Sequence, residues 1–240
     1  MSAVPDAVLA HVHPGVWYAD ALATPAGRVL ATGDVALDAQ LPGGGWPLGA
    51  LNEILQPVGV HSEWRLLLPA LARSGTGAVV LVGAPHMPFG PALGAQGLPP
   101  QRLLWVVAQA SAQRLWAAEQ ALRCADVDAV LAWLPQVRAD QLRRLQMAAA
   151  EHHKLLWVLR PEQALHESSP AVLRLWAGPA GQGAPGGGAP DALEVRVLKR
   201  RGPPLDQALR LGARAAPLAR LLAASQPRQG HALDCTAACA

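Results

Sequence analysis

The chain has 240 residues, of which 51% are hydrophobic and 15% charged, with a formal net charge of +3. That balance suits one core domain with appendages and excludes a chain that stays disordered throughout. No stretch reaches the roughly 20 apolar residues of a membrane span. The opening, MSAVPDAVLAHVHPG, has neither a basic start nor a sustained apolar run, so a cytoplasmic protein with no membrane attachment is expected.

Residues 1–36 read as an N-terminal segment with a short helix near 16–24. LDAQLPGGGWPLG (37–49) is a loop, because three consecutive glycines and the flanking prolines demand irregular backbone. ALNEIL (50–55) is a short apolar strand. Residues 62–73 form a helix that buries Leu66, Leu67, Ala70 and Leu71, with Pro69 setting a kink or an early end. GAVVLVG (77–83) is apolar throughout, the mark of a strand covered on both faces. A Pro/Gly-rich excursion over 84–100 has room for a helical turn. RLLWVVA (102–108) is the next strand and 111–125 a helix; DAVLAWL (128–134) is another buried strand. Residues 140–152 are an amphipathic helix with Leu142, Leu145, Met147 and Ala148 inward and Arg143 and Arg144 outward. KLLWVLR (154–160) is a further strand.

Helices alternating with apolar strands at short spacing predict an α/β domain with a mainly parallel central sheet flanked by helices. AVLRLWA (171–177) and LEVRVLKRR (193–201) alternate apolar and polar residues, as half-exposed antiparallel strands do. The low-complexity stretch between them makes 178–192 a flexible loop. Residues 205–224 read as an amphipathic helix, and 225–240 as a loose tail. The expected organisation is thus 1–36, a core over 37–202, and a basic segment over 203–240. From Lys199 onward seven basic residues face two acids, a net +5, which leaves −2 on the rest of the chain. Such a segment suits an acidic partner or DNA phosphates.

Residues 56–63 stand where a nucleotide-binding enzyme keeps its phosphate loop. That loop needs G-x-x-x-x-G-K-[ST]: glycines let backbone N–H groups approach phosphate, lysine neutralises charge, and Ser/Thr holds Mg²⁺. The matching positions here carry Gln56, His61, Ser62 and Glu63, and Glu63 brings a negative charge to the phosphate's place. Other chemistry is weak. His152 and His153 beside Glu151 are neighbours in sequence and do not share a helix face. His86 follows a strand with no evident partner. Ser62 lacks the setting of a hydrolase nucleophile. Cys235, Cys239 and His231 make an incomplete metal set near the C-terminus. Trp46 and Trp64 flank the loop, and filling of the vacant nucleotide space by their rings is expected.

The phrase LDAQLPGGGWPLGALNEIL resembles the segment leading into the phosphate loop of bacterial RecA recombinases. The likeness continues through VVLVGAPH (79–86), VDAVLAWLP (127–135), KLLWVLR and VRVLKRR (195–201), covering roughly residues 30–203. More specifically, P-G-G-G-W-P-x-G-A-L-x-E resembles the ImuA family, RecA-like partners of error-prone polymerase factors whose members are often described as similar to the cell-division inhibitor SulA. The resemblance implies a RecA-like core. It places the second loop glycine, the lysine and the first threonine at His61, Ser62 and Glu63. The catalytic glutamate falls at Pro85, the Mg²⁺-supporting aspartate at Trp133, and the nucleotide-sensing glutamine near Arg160. Asp128 lies at the wrong end of its strand to substitute.

A phosphate cradle, a metal ligand and a base are thus all missing, so the resemblance implies a protein without ATPase activity, cofactor or catalytic residue. It implies instead an SOS-induced adaptor supporting translesion synthesis and mutagenesis. Its partners would be an ImuB-type polymerase-like protein and an error-prone replicative-type DNA polymerase, with self-association through the N-terminal segment. Leu205, Leu209, Arg210, Arg214, Leu218 and Leu221 are the candidate partner-binding residues. The alternative is a SulA-like inhibitor of the division GTPase. Direct DNA contact stays open.

Overall fold

The computed structural model describes residues 27–180, 192–205 and 207–212. A two-stranded ribbon opens them: β1 (Val29–Leu30) pairs antiparallel with β2 (Trp46–Pro47). Between these strands lies α1 (Val35–Asp38), whose N-cap Asp34 accepts from Ala36 N–H at 2.9 Å and Leu37 N–H at 3.0 Å. Gly45 lies against the ribbon, where an added Cβ would stand 2.3 Å from the Leu30 carbonyl oxygen. Gly45 is therefore required by close backbone approach, while Gly43 and Gly44 adopt φ of 80° and 79°, a region that favours glycine.

The core follows as β3 (Ala50–Gln56), α2 (Glu63–Leu71), β4 (Ala78–Val82), α3 (Gly90–Ala95), β5 (Leu103–Val106), α4 (Ser111–Arg123), β6 (Val127–Trp133), α5 (Ala139–Glu151), β7 (Leu155–Pro161), β8 (Leu173–Pro179), β9 (Leu193–Lys199) and β10 (Leu209–Leu211). The eight-stranded sheet runs β10-β9-β8-β3-β7-β6-β4-β5. Neighbours from β8 through β5 are parallel; β9 and β10 are antiparallel additions. The expected α/β architecture with a mainly parallel sheet is what the chain forms.

Alternation along the strands sorts the core into two layers. Val79, Leu81, Trp157 and Leu175 face α2, with Leu66, Leu67 and Leu71 packed onto them. Val80, Val82, Leu156 and Val158 face α4 and α5, against Leu115, Leu122, Leu142 and Leu145. Strand β3 lies between β7 and β8 and is buried at every residue.

Several expectations need correction. Helix α2 contains Pro69 and ends at Leu71, two residues before the expected end at 73. Met147 is 70% exposed. At 100° per residue it lies on the far side of α5 from Leu142, Leu145 and Ala149. The expected helix over 205–224 is not what residues 209–211 form. They pair with β9, Leu209 opposite Val195 and Leu211 opposite Leu193, and Leu211 is buried. The preceding Gly202-Pro203-Pro204 blocks an earlier helix start, and Leu-Arg-Leu has the period of a strand. The loop after β8 closes with Ala180 N–H donating to Ala192 O at 2.9 Å. The expected helix at 16–24, and Arg214, Leu218 and Leu221, lie outside the described residues.

Candidate functional site at the carboxyl edge of the sheet

The strands β3, β4, β6 and β7 all end on one edge, and their ends surround a crevice of about 410 Å³. In open parallel sheets this edge, beside a strand-order reversal, is where ligands bind. Gln56, His61, Pro85, Trp133 and Arg160 line it together. The sequence correspondences drawn above thus converge on one place. Ser62 and Glu63 lie behind it, buried at the start of α2.

Local sequence explains the loop. Pro57 to Val60 closes a turn, with Val60 N–H donating to Pro57 O at 3.1 Å and Gly59 at φ +77°. The turn returns the chain to β3's end, so Gln56 sits under the first turn of α2. With its amide oriented by the hydrogen-bond network, Gln56 Oε1 accepts from Ser62 N–H at 2.9 Å and Glu63 N–H at 3.2 Å. Those are helix N-terminal donors of the kind that elsewhere bind phosphate. Ser62, the N-cap, makes no capping bond with its own side chain. The Glu63 carboxylate lies in the helix's first turn, a favourable end for an anion, with His61 Nδ1 3.9 Å away.

Two arginines line the crevice, and both have partners. Arg160 donates to Glu53 Oε1 at 2.9 Å and to Glu167 Oε2 at 2.5 Å. Glu53, fully buried in β3, also meets Arg174 Nε at 2.9 Å, close as an ion pair though off the line of a hydrogen bond. Arg174 in turn donates to the carbonyls of Ala164, Leu165 and Glu167. The second crevice arginine, Arg114, donates to Ala108 O at 2.8 Å and Trp133 O at 3.2 Å. Neither Arg114 nor the capping role of Gln56 was singled out from sequence. Glu53 did carry a signal: a carboxylate among the apolar residues of a central strand needs a cation, and Arg160 and Arg174 are the cations of the two neighbouring strands.

The expected filling of the crevice by Trp46 and Trp64 is overturned. Trp46 lies in the core beneath the sheet, edge-on to Trp157 with ring centroids 5.6 Å apart. Trp64 lines a different cavity, beside α3. The ring at the crevice is Trp133. Asp128 lies at the other edge, accepting from Gly77 N–H at 2.6 Å and pairing with Arg102 at 3.1 Å. Of the candidate partner-binding residues, Leu205 and Leu209 pack against the core, and Arg210 is opposite Glu194 on the edge strand.

The mouth of the crevice is apolar. Val58 and Val107 line it and are 73% and 66% exposed. The His86 ring stands edge-on to His61 at 4.7 Å, and the nearby Met87 and Phe89 are 70% and 72% exposed. Large exposed apolar side chains gathered at one edge are the mark of a contact surface. Among the described residues no group of three His, Cys, Asp or Glu is placed to hold a metal ion, and no helix is long and apolar enough to cross a membrane.

Fold and edge define an α/β protein with a mainly parallel sheet and an open carboxyl-edge crevice. Within that class the chain is similar to cell division inhibitor SulA. Identity with SulA of Photorhabdus laumondii subsp. laumondii is 33% over 112 residues, covering 46% of this chain and 63% of that one. With SulA of Edwardsiella piscicida it is 26% over 113 residues, covering 47% and 59%. The chain spans about three fifths of the length of the curated relatives it matches. No known protein-family model matches it.

Proposed function

We propose that this is a non-catalytic binding protein: a RecA-like scaffold with a degenerate phosphate loop, serving as an adaptor in damage-induced, error-prone translesion synthesis. One observation carries the non-catalytic reading. The N–H groups at the start of α2, which a nucleotide phosphate would need, are taken by the chain's own Gln56. The apolar mouth formed by Val58 and Val107, with the exposed Phe89 in the segment after β4, supports protein contact at the same edge. The ImuB-type protein and the error-prone polymerase are proposed as partners from the PGGGWPLGALNE phrase at 42–53. A second reading, a SulA-like inhibitor that binds the division GTPase, is favoured by the similarity to SulA over about half the chain.

Affinity capture of the tagged chain from DNA-damaged cells, with partners identified by mass spectrometry, separates the two. Recovery of the polymerase-like protein and polymerase supports the adaptor; recovery of the division GTPase supports the inhibitor. Val58→Asp with Phe89→Asp, both at exposed positions, is expected to abolish capture without lowering the melting temperature. Truncation after Gly212 tests the candidate partner-binding residues Arg214, Leu218 and Leu221, and is expected to abolish capture if they carry it. Saturable ATP–Mg²⁺ binding, followed by tryptophan fluorescence, would overturn the non-catalytic reading.

A further inference from the structure

At the opposite edge of the sheet, where β3 begins, a second cavity of about 200 Å³ lies beneath the β1–β2 ribbon and the segment after β9. Its walls include Pro42, Leu48, Val172 and Leu173, and three arginines complete them: Arg28, Arg200 and Arg201. No carboxylate lines the cavity, and among the described residues none of the three arginines has an ion-pair partner.

Arg200 is held in place by hydrogen bonds, and Arg28 and Arg201 stand beside it in the lining. Arg28 belongs to the ribbon backbone, its carbonyl accepting from Leu48 N–H at 2.9 Å. Arg200 donates through Nε to Pro203 O at 2.9 Å and through Nη1 to Gln40 O. Carbonyl acceptors fix a guanidinium without cancelling its charge. Three cations around one small cavity repel one another, and a bound anion relieves that repulsion. Arginine forks match carboxylate and phosphate groups. A nucleic-acid backbone takes a track of cations and makes no use of apolar walls. Apolar walls beside guanidinium groups fit an apolar side chain that adjoins an acid.

We propose that this cavity is a docking site for an acidic peptide of a protein partner, holding an apolar anchor side chain between Leu48 and Val172 while Arg28, Arg200 and Arg201 hold the neighbouring carboxylates. The site is separate from the carboxyl-edge crevice and does not depend on which partner that crevice serves.

Fluorescence anisotropy on the full chain tests it, using labelled Asp-Glu-Leu-Phe with a free C-terminus, labelled Asp-Glu-Ser-Ser and labelled oligothymidylate. Saturable binding of the first peptide is expected, weaker for the second. Arg28→Glu with Arg201→Glu is expected to weaken binding by about tenfold or more, and added salt to weaken it further. Arg201→Ala alone, at an exposed position, is expected to weaken it several-fold and guards against a folding defect in the double variant. Val58→Asp with Phe89→Asp is expected to leave it unchanged. The proposal is overturned by peptide binding indifferent to the arginine substitutions, by oligothymidylate binding that those substitutions abolish while the peptide fails to bind, or by no saturable peptide binding up to millimolar protein.

Discussion

The two edges of the sheet treat their polar groups in opposite ways. At the carboxyl edge Gln56 caps α2, Arg160 neutralises Glu53 and Glu167, and Arg114 is spent on two carbonyls. At the amino edge Arg28, Arg200 and Arg201 surround a cavity with no acid in its lining. The charges at the place where parallel sheets usually hold small ligands are here paired internally, and the uncompensated charge stands at the other end of the same strands. A scaffold can therefore keep its architecture while the chemistry available to a partner shifts to a different edge.

The largest effect is expected from breaking the satisfied edge at its centre. Glu53→Ala leaves Arg174 buried without a carboxylate and Arg160 with Glu167 alone, and should cost about 3–5 kcal/mol in chemical denaturation. Replacing all three groups by Leu, Met and Leu should recover most of that loss, because an apolar trio avoids the desolvation of the charges. A smaller effect is expected at the other edge. Gly45→Ala puts a methyl group against the Leu30 carbonyl and the Ala31 Cα, both backbone atoms that cannot swing aside. A loss of about 1–3 kcal/mol is expected, with altered Trp46 fluorescence as the ribbon shifts.

Gln56→Ala removes the cap from Ser62 and Glu63 and should cost about 1 kcal/mol. It sharpens the contrast further if ATP still fails to bind, since freeing the donors restores neither a lysine nor a magnesium ligand. The smallest effect belongs to a pair outside both edges. Arg138 hydrogen-bonds Asp140 and holds its carboxyl below the ordinary carboxylate range. A folded-state value lowered in this way contributes stability above the ordinary carboxylate pKa and loses it as pH falls through the lowered value. Both side chains are largely exposed, so Arg138→Ala should raise the Asp140 NMR titration midpoint while leaving the melting temperature unchanged.

The alternating apolar runs disclosed the sheet because strands covered on both faces have few alternatives. VVLV, AVLAW and LLWVL all became central strands. Residues 205–211 misled, since a short edge strand is decided by the neighbour that pairs with it, and the pairing of 209–211 with β9 leaves no mark in their own periodicity. Trp46 and Trp64 misled for a related reason: their nearness to the loop in sequence says nothing of which face of the sheet receives them. The convergence of His61, Pro85, Trp133 and Arg160 was legible, because correspondences along strands carry over as positions at strand ends. The Gln56 cap was not, since it depends on how tightly the 57–60 turn folds back. Nor was the arginine cavity, which brings Arg28 to Arg200 and Arg201, more than 170 residues further along the chain.

The central place of β3 also bears on how the chain is made. It is the first strand of the large sheet to leave the ribosome, yet Ala50 pairs with Leu155 and Asn52 with Leu173. At roughly 5–20 residues per second, the most deeply buried segment waits many seconds for both of its neighbours. During that interval ALNEIL has two open edges and a lone carboxylate, so newly made chains should depend on chaperones until β8 has emerged.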